Sequence, residues 1–333
     1  MLFSDKELRE ILLSEDKDFL EELYKEARET ANATFSNKIY IRALIEFSNY
    51  CKEGCYYCGI NRNKSSVHRF RLTKDEIYSA AETAYEAGFR TFVLQGGEDT
   101  HFTDEAFAEI ISYLKKNYDA AITLSLGVRS YEAYKLFKDA GADRFLLRHE
   151  TADADVFRKL HPSDQSLERR LKAIYDLKEL GYQVGTGFMV AAPFTNHESH
   201  IKDIKLIREI DPAMIGIGPF IPSKGTRFEA YPAGTVELTR KLLAILRIEH
   251  PKALIPSTTA LNTISETGRI KGILSGANVI MPNVSPKFAR DNYNLYDGKK
   301  ASGLEAIEGV RELNEYLKEF GYEIEFTRGD YNV

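Results

Sequence analysis

Eight short apolar runs, rich in β-branched residues and spread along most of the chain, set the strictest limit on the fold. They are IYIRALIEF (39–47), TFVLQ (91–95), AITLSL (121–126), RFLLRHE (144–150), QVGTGFMV (183–190), MIGIGPF (214–220), ALIPST (253–258) and NVIMPN (278–283). Each is short enough for a buried strand. Amphipathic stretches separate them. Residues 74–87 place Ile77, Ala80, Ala81 and Ala84 on one face, and 303–320 sets Leu304, Ile307, Val310, Leu313 and Leu317 in a stripe. Gly88, Gly141 and Gly181 stand where three helices would stop. Two more helical patterns, at 5–13 and 16–33, precede the first strand. The series predicts a (β/α)8 TIM barrel: one domain over 1–333, with a helical extension at 1–36 and the barrel at 37–325. A doubly wound open sheet is the alternative, because eight units do not by themselves close a ring.

Composition narrows the class. A formal net charge of −5 disfavours a nucleic-acid partner. No apolar run approaches the roughly 18 residues of a membrane span. The first twenty residues carry Glu7, Arg9, Glu10, Glu15, Asp16 and Lys17, unlike a signal peptide. All three cysteines fall in NYCKEGCYYCGINRNK (49–64). They do not make a disulfide framework and suit a reducing, cytoplasmic setting with a metal or redox role.

Cys51, Cys55 and Cys58 follow the first strand, at the barrel end where catalytic residues gather. Three thiolates are one short of a closed zinc site, and His68 stands at an awkward spacing for a fourth ligand. A 4Fe-4S cluster takes four cysteines as a rule. Held by three, it leaves one iron open to a ligand that is not protein. A zinc site, or thiols that are simply buried, is the alternative.

The Cys-x3-Cys-x2-Cys motif, with Tyr57 before its third cysteine, is that of radical S-adenosylmethionine (SAM) enzymes. Beyond it, IRALIEFSNYC, FVLQGGED, FLLRHETAD, MIGIGPFIP, IPSTTALNTI and GANVIMPNVSPKFARDNYNLYDGK resemble the HydE family, maturases of the diiron hydrogenase. Biotin synthase and methylornithine synthase are relatives. The resemblance runs from about residue 5 to 325. It implies a 4Fe-4S cluster on Cys51, Cys55 and Cys58, with SAM on the open iron and reductive cleavage to a 5′-deoxyadenosyl radical.

The resemblance also implies site residues. Tyr57, Gln95, Gly96, Gly97, Arg148, Glu150, Arg170 and Met189 would bind the cofactor. The glycine pair would admit backbone carbonyls to the methionine ammonium. Glu98 and Asp99 contact the ligand or cap the next helix. Alternation puts Arg148 and Glu150 on one face and His149 on the other. They serve SAM, or else pair with each other in a salt bridge. Arg170 would clamp the SAM carboxylate, with Arg169 beside it as a solvated charge. Ile217 to Phe220 would frame the adenine. Arg42, Thr258, Thr259, Met281, Tyr293 and Tyr296 would line the substrate cavity, with Thr259 and Tyr293 as catalytic residues.

The implied substrate is an iron complex carrying cysteine, CO and cyanide, or a thiazolidine-like compound. The implied partners are other hydrogenase maturases and a low-potential electron donor. A small-amino-acid mutase resembling methylornithine synthase, or a non-enzymatic metal-binding scaffold, is the alternative. The chain lacks the further cysteines that biotin synthase needs for a second cluster, and its tail has none for an accessory cluster. Val128, Ala191-Ala192 and Ser223-Lys224-Gly225 depart from the family pattern near the barrel mouth.

Overall fold

The computed structural model describes residues 2–331. Its centre is a ring of parallel strands. The first barrel strand is two segments, β1 (Lys38–Ile41) and β2 (Ala43–Ser48), broken at Arg42. Then follow β3 (Thr91–Gly96), β4 (Ala121–Ser125) and β5 (Arg144–Leu146). The fifth and sixth barrel strands are again split, into β6 (Gln183–Thr186) and β7 (Met189–Val190), and β8 (Met214–Ile215) and β9 (Gly218–Pro219). β10 (Val279–Ile280) completes the ring.

β2, β3, β4, β5, β6 and β8 pair side by side, all parallel. The seventh run, ALIPST, forms no continuous strand. It enters the ring through two parallel bridges, Met214 to Leu254 and Pro256 to Val279. Pro256 has no N–H to give the ladder, which explains the interruption. β10 then pairs with β1, and Asn283 bridges Leu44. The ring therefore closes and the open-sheet alternative falls.

Local sequence explains most of the outer layer. The first two helices are Asp5–Leu13 and Lys17–Phe35, begun by a Ser4/Glu7 capping box and by Asp16. They bury Leu8, Ile11, Leu12, Leu23 and Ala27 against Ile201, Ile204, Leu242 and Leu246 of the ring's outer helices. The helix Lys74–Glu86 buries Ile77, Ala80, Ala81 and Ala84, the predicted stripe. Gly88, Gly141 and Gly181 all take left-handed backbone after helices. No described helix is long and apolar enough to cross a membrane.

Two elements differ from expectation. The single helix over 303–320 is instead two 3-10 turns, Gly303–Glu305 and Ile307–Gly309, before a helix Val310–Lys318. Ala306 is extended because the segment pairs with Asn283 beyond the eighth strand, and a helix cannot make that bridge. Of the predicted stripe, Leu313 and Leu317 are fully buried. The second difference is β11 (Glu323–Glu325), which runs parallel to β1 and fills the gap beside its lower half. The chain then crosses the N-terminal end of the barrel. The Arg328 carbonyl accepts from Thr91 and Arg144, Asp330 accepts from Arg144 at 2.6 Å, and Tyr331 N–H donates to Gln183. Thr91, Arg144 and Gln183 begin three different barrel strands, so this strap floors the barrel.

Candidate functional site

The cysteine loop has almost no regular structure, and two polar side chains shape it instead. Asn49 donates to the carbonyls of His68 and Asn292, each at 2.8 Å, and accepts from Phe70 N–H. The Arg69 guanidinium gathers the carbonyls of Asn49, Ile60, Asn61 and Lys64. A guanidinium offers five donors, enough to fold a loop around itself. Neither residue carried a sequence signal. Gly97 explains why the loop reaches the end of β3. A Cβ there would lie 2.1 Å from the Tyr50 carbonyl oxygen and 2.8 Å from Cys51 Cβ. At Gly96 it would lie 2.4 Å from the Phe47 ring. The glycine pair thus makes room for the cysteine loop and the core beneath it.

The three thiols are half-buried. Burial pushes the Cys55 thiol up to about 12, with Arg170 working against the rise. Burial raises Cys58 further, and the neighbouring Cys55 and Cys51 add to it. Such thiols need an electropositive occupant to become thiolates. Among the described residues, no three His, Cys, Asp or Glu side chains converge closely enough for one metal ion. The three thiols lie close enough to raise one another, and they supply three of the four cysteine ligands that a four-iron cluster takes. His68 is exposed, and no fourth ligand comes from it. The donor set therefore fits a cluster.

Next to the thiols lie the residues expected to face SAM. Arg148 Nε donates to the Gly216 carbonyl at 2.7 Å, and Arg170 Nη1 donates to the Arg148 carbonyl at 2.9 Å. Arg170 is half-buried and Arg169 is exposed. Simple alternation fails here, because β5 stops at Leu146 and Glu150 has φ of 68°. No salt bridge joins Arg148 to Glu150; Glu150 Oε2 is buried without a partner. His149 is fully buried. Tyr57 meets His161 Nε2 at 3.1 Å, and burial raises its phenol well above the ordinary value. Met189 packs with Leu160, Phe220 and Phe228 against the Tyr56 and Tyr57 rings. Ile217 packs elsewhere, in the outer cluster with Phe188 and Val190, so Ile217 and Phe220 do not share a face.

Glu98 and Asp99 do not cap a helix; Thr103 caps Asp104–Asn117. Glu98 accepts from Val128 N–H and lies 3.6 Å from Lys52. Asp99 holds Arg71 and accepts from Ser48.

The expected substrate residues are all buried or half-buried. Arg42 Nη1 reaches Met214 across the ring at 3.1 Å, while its Nε and Nη2 are buried with no partner among the described residues. Burial, then the nearby Arg144, pushes this guanidinium well below its ordinary value. A buried cation so placed calls for an anion. Thr258 Oγ1 is likewise without a partner, in space that Gly218 leaves open. Thr259 differs: its hydroxyl donates to Glu305 at 2.7 Å. Glu305 also accepts from Asn262 and Arg269, so Thr259 belongs to a buried network. Tyr293 is buried, its phenol raised by burial and by Glu46. Burial raises the Tyr296 phenol. Met281 packs beside Tyr40, Met214 and Leu254.

A buried ion pair beside Tyr293 carries no sequence signal as a pair. Lys299 Nζ donates to Glu46 at 2.5 Å and to the Tyr293 carbonyl at 2.9 Å, and Asn283 donates to the other Glu46 oxygen. Glu46 was detectable as a carboxylate within an otherwise apolar strand. Its partner, 253 residues away, was not.

Comparison with known proteins follows the same lines. Residues 45–207 match the profile of the radical SAM superfamily. The chain is 43% identical over 297 residues to the [FeFe] hydrogenase maturase subunit HydE of Thermotoga maritima, covering 89% of this chain and 85% of that protein. It is 32% identical over 296 residues to 3-methylornithine synthase of Methanosarcina acetivorans, covering 87% and 83%. Among solved structures, methylornithine synthase (PylB) superposes with a TM-score of 0.86 at 27% identity, over 98% of this chain and 95% of that one. HydG, a maturase of the [FeFe]-hydrogenase, shares the fold at a TM-score of 0.82 and 20% identity, over 97% and 73%.

Proposed function

The chain belongs to the radical SAM superfamily, in the branch that includes HydE, and on that premise we propose that it helps assemble the diiron cofactor of a hydrogenase. When bound, the cluster and SAM supply one electron and a 5′-deoxyadenosyl radical. The protein's own part is to hold, orient and shield. Cys51, Cys55 and Cys58 hold the cluster. Arg148, Glu150 and Arg170 surround SAM, with Tyr57 and Met189 packed beside it and Gln95, Gly96 and Gly97 at the strand end. Arg42, Thr258 and Tyr293 orient a small, carboxylate-bearing substrate so that a cysteine-derived sulfur faces the radical carbon. Thr259, Met281 and Tyr296 complete that cavity. The substrate is an iron–cysteine complex or a thiazolidine-like compound, handed on by another maturase, and the electron comes from a low-potential donor.

One observation carries this reading. Arg42 Nε and Nη2, Thr258 Oγ1 and Glu150 Oε2 are buried polar atoms with no partner among the described residues. Such atoms cost free energy unless a ligand satisfies them. They offer a cation and a hydroxyl to one ligand and a carboxylate to another. A small-amino-acid mutase is the second reading, favoured by the likeness to methylornithine synthase.

Substrate placement should fail separately from SAM cleavage, since the two sets of residues lie on different segments of the chain. Tyr293→Phe and Thr258→Val are expected to cleave SAM at near wild-type rate without substrate. Their adenosylated product should fall by about 10²-fold, the usual result of slight misplacement. Liquid chromatography of 5′-deoxyadenosine and adduct decides. Parallel loss of both would show that these residues do not act on the substrate alone.

A further inference from the structure

Glu150 is held in a conformation that its residue type disfavours. A left-handed backbone is sterically disfavoured for a residue other than glycine, yet φ here is 68°. The surroundings over-determine it. Glu150 N–H donates to the Gly187 carbonyl, and its own carbonyl accepts from Met189 N–H. Its flanks converge on one carboxylate, Asp203 of the helix His197–Ile210. Ala152 N–H donates to Asp203 Oδ1 at 2.5 Å, and His149 Nε2 stands 3.4 Å from the same oxygen. His200 Nδ1 lies 3.3 Å from Oδ2. His149 and Asp203 are fully buried and His200 nearly so. Burial alone would raise the Asp203 carboxyl, but the hydrogen bond to His200 and the close approach of His149 outweigh it and hold the group below the ordinary range. It is an anion at neutral pH. His149 is fixed in turn by Thr186 at 3.0 Å.

We propose that Asp203 is a positioning residue: with His149 and His200 it clamps residues 149 and 152, keeps Glu150 left-handed between them, and so aims the free Glu150 oxygen at SAM. The proposal rests on the reading above that Glu150 contacts SAM. Its content is that a carboxylate behind the barrel wall sets SAM affinity through a residue in front of it.

The test is a double-mutant cycle on anaerobically reconstituted protein, with SAM affinity read by calorimetry and folding by thermal melting. Glu150→Gln should weaken SAM binding about ten- to hundred-fold, as loss of a charge-assisted bond does. Asp203→Asn should weaken it roughly ten-fold, in the range of other supporting-shell changes. The double variant should bind within about two-fold of Glu150→Gln alone, because Asp203 has nothing left to position. Additive losses would overturn the proposal, showing that Asp203 acts on SAM affinity by another route. Wild-type affinity in folded Asp203→Asn, beside a weakened Glu150→Gln, would overturn it while leaving the Glu150 assignment intact. Wild-type affinity in Glu150→Gln would remove the assignment and the proposal together. If Asp203→Asn does not fold, His149→Gln replaces it in the same cycle, with the same outcomes.

Discussion

Alanine in place of Cys51, Cys55 or Cys58 is expected to give folded protein that retains no intact four-iron cluster and releases no 5′-deoxyadenosine above background. Each thiol is half-buried in a loop fixed by Asn49 and Arg69, and no other cysteine exists to substitute for it. The loop scaffold is built from backbone carbonyls and those two side chains, so it should survive the loss of one sulfur. His68→Ala serves as the control. Its ring is exposed, and iron content and cleavage should remain at wild-type levels. Iron and sulfide analysis, with chromatography of the nucleoside, measures both. A Cys55→Ala protein that cleaved SAM at the wild-type rate would remove the cluster assignment.

Lys299→Ala should be the most damaging change away from the cysteines, lowering stability by about 3–5 kcal/mol. Lys299 and Glu46 are both buried, 7% and 0% exposed at the side chain. Removing the lysine strands a carboxylate that Asn283 alone cannot satisfy. It also frees the Tyr293 carbonyl that Lys299 holds. Adding Glu46→Gln should restore much of the loss, since the uncompensated charge goes with it. The pH dependence has a definite sign. Burial already raises the Glu46 carboxyl, with Lys299 opposing the rise. Without Lys299 the folded state binds that proton more tightly than the unfolded state. The variant should therefore recover stability, relative to wild type, as pH falls through the raised folded value toward the ordinary value of 4.5. It loses that contribution again as pH rises. Denaturant melts of the two variants across this range test it. An equal deficit at every pH, unrelieved by Glu46→Gln, would mean that packing and not the stranded charge is responsible.

How much could be read from the sequence depended on whether the signal was local. The strand runs and the glycine stops at 88, 141 and 181 are short-range patterns, and the structure keeps them. The seventh strand is thinner than its apolar composition suggests, because Pro256 interrupts the ladder. The helix expected over 303–320 was broken by a distant partner, Asn283, that no helical periodicity could reveal. The same distinction holds at the site. Three cysteines in eight residues announce themselves. Period-two alternation placed Arg148 and Glu150 together, but the strand had already ended and Glu150 turns left-handed under tertiary constraint from Asp203. Thr258 and Thr259 look equivalent as a sequence pair, yet only Thr258 keeps its hydroxyl free, because Glu305 claims the other. The strap that floors the barrel and the Lys299–Glu46 pair join segments far apart in the chain, where sequence spacing says nothing.

The assignment to the HydE branch, rather than to a mutase, turns on where the radical goes. The wild-type protein, reconstituted anaerobically, reduced and given SAM with an iron–cysteine complex or a thiazolidine, is to be examined for products by mass spectrometry. The account predicts a product carrying the adenosyl group on the cysteine-derived sulfur. Formation of only 5′-deoxyadenosine with that substrate, together with a rearranged amino acid when lysine is supplied, would contradict it.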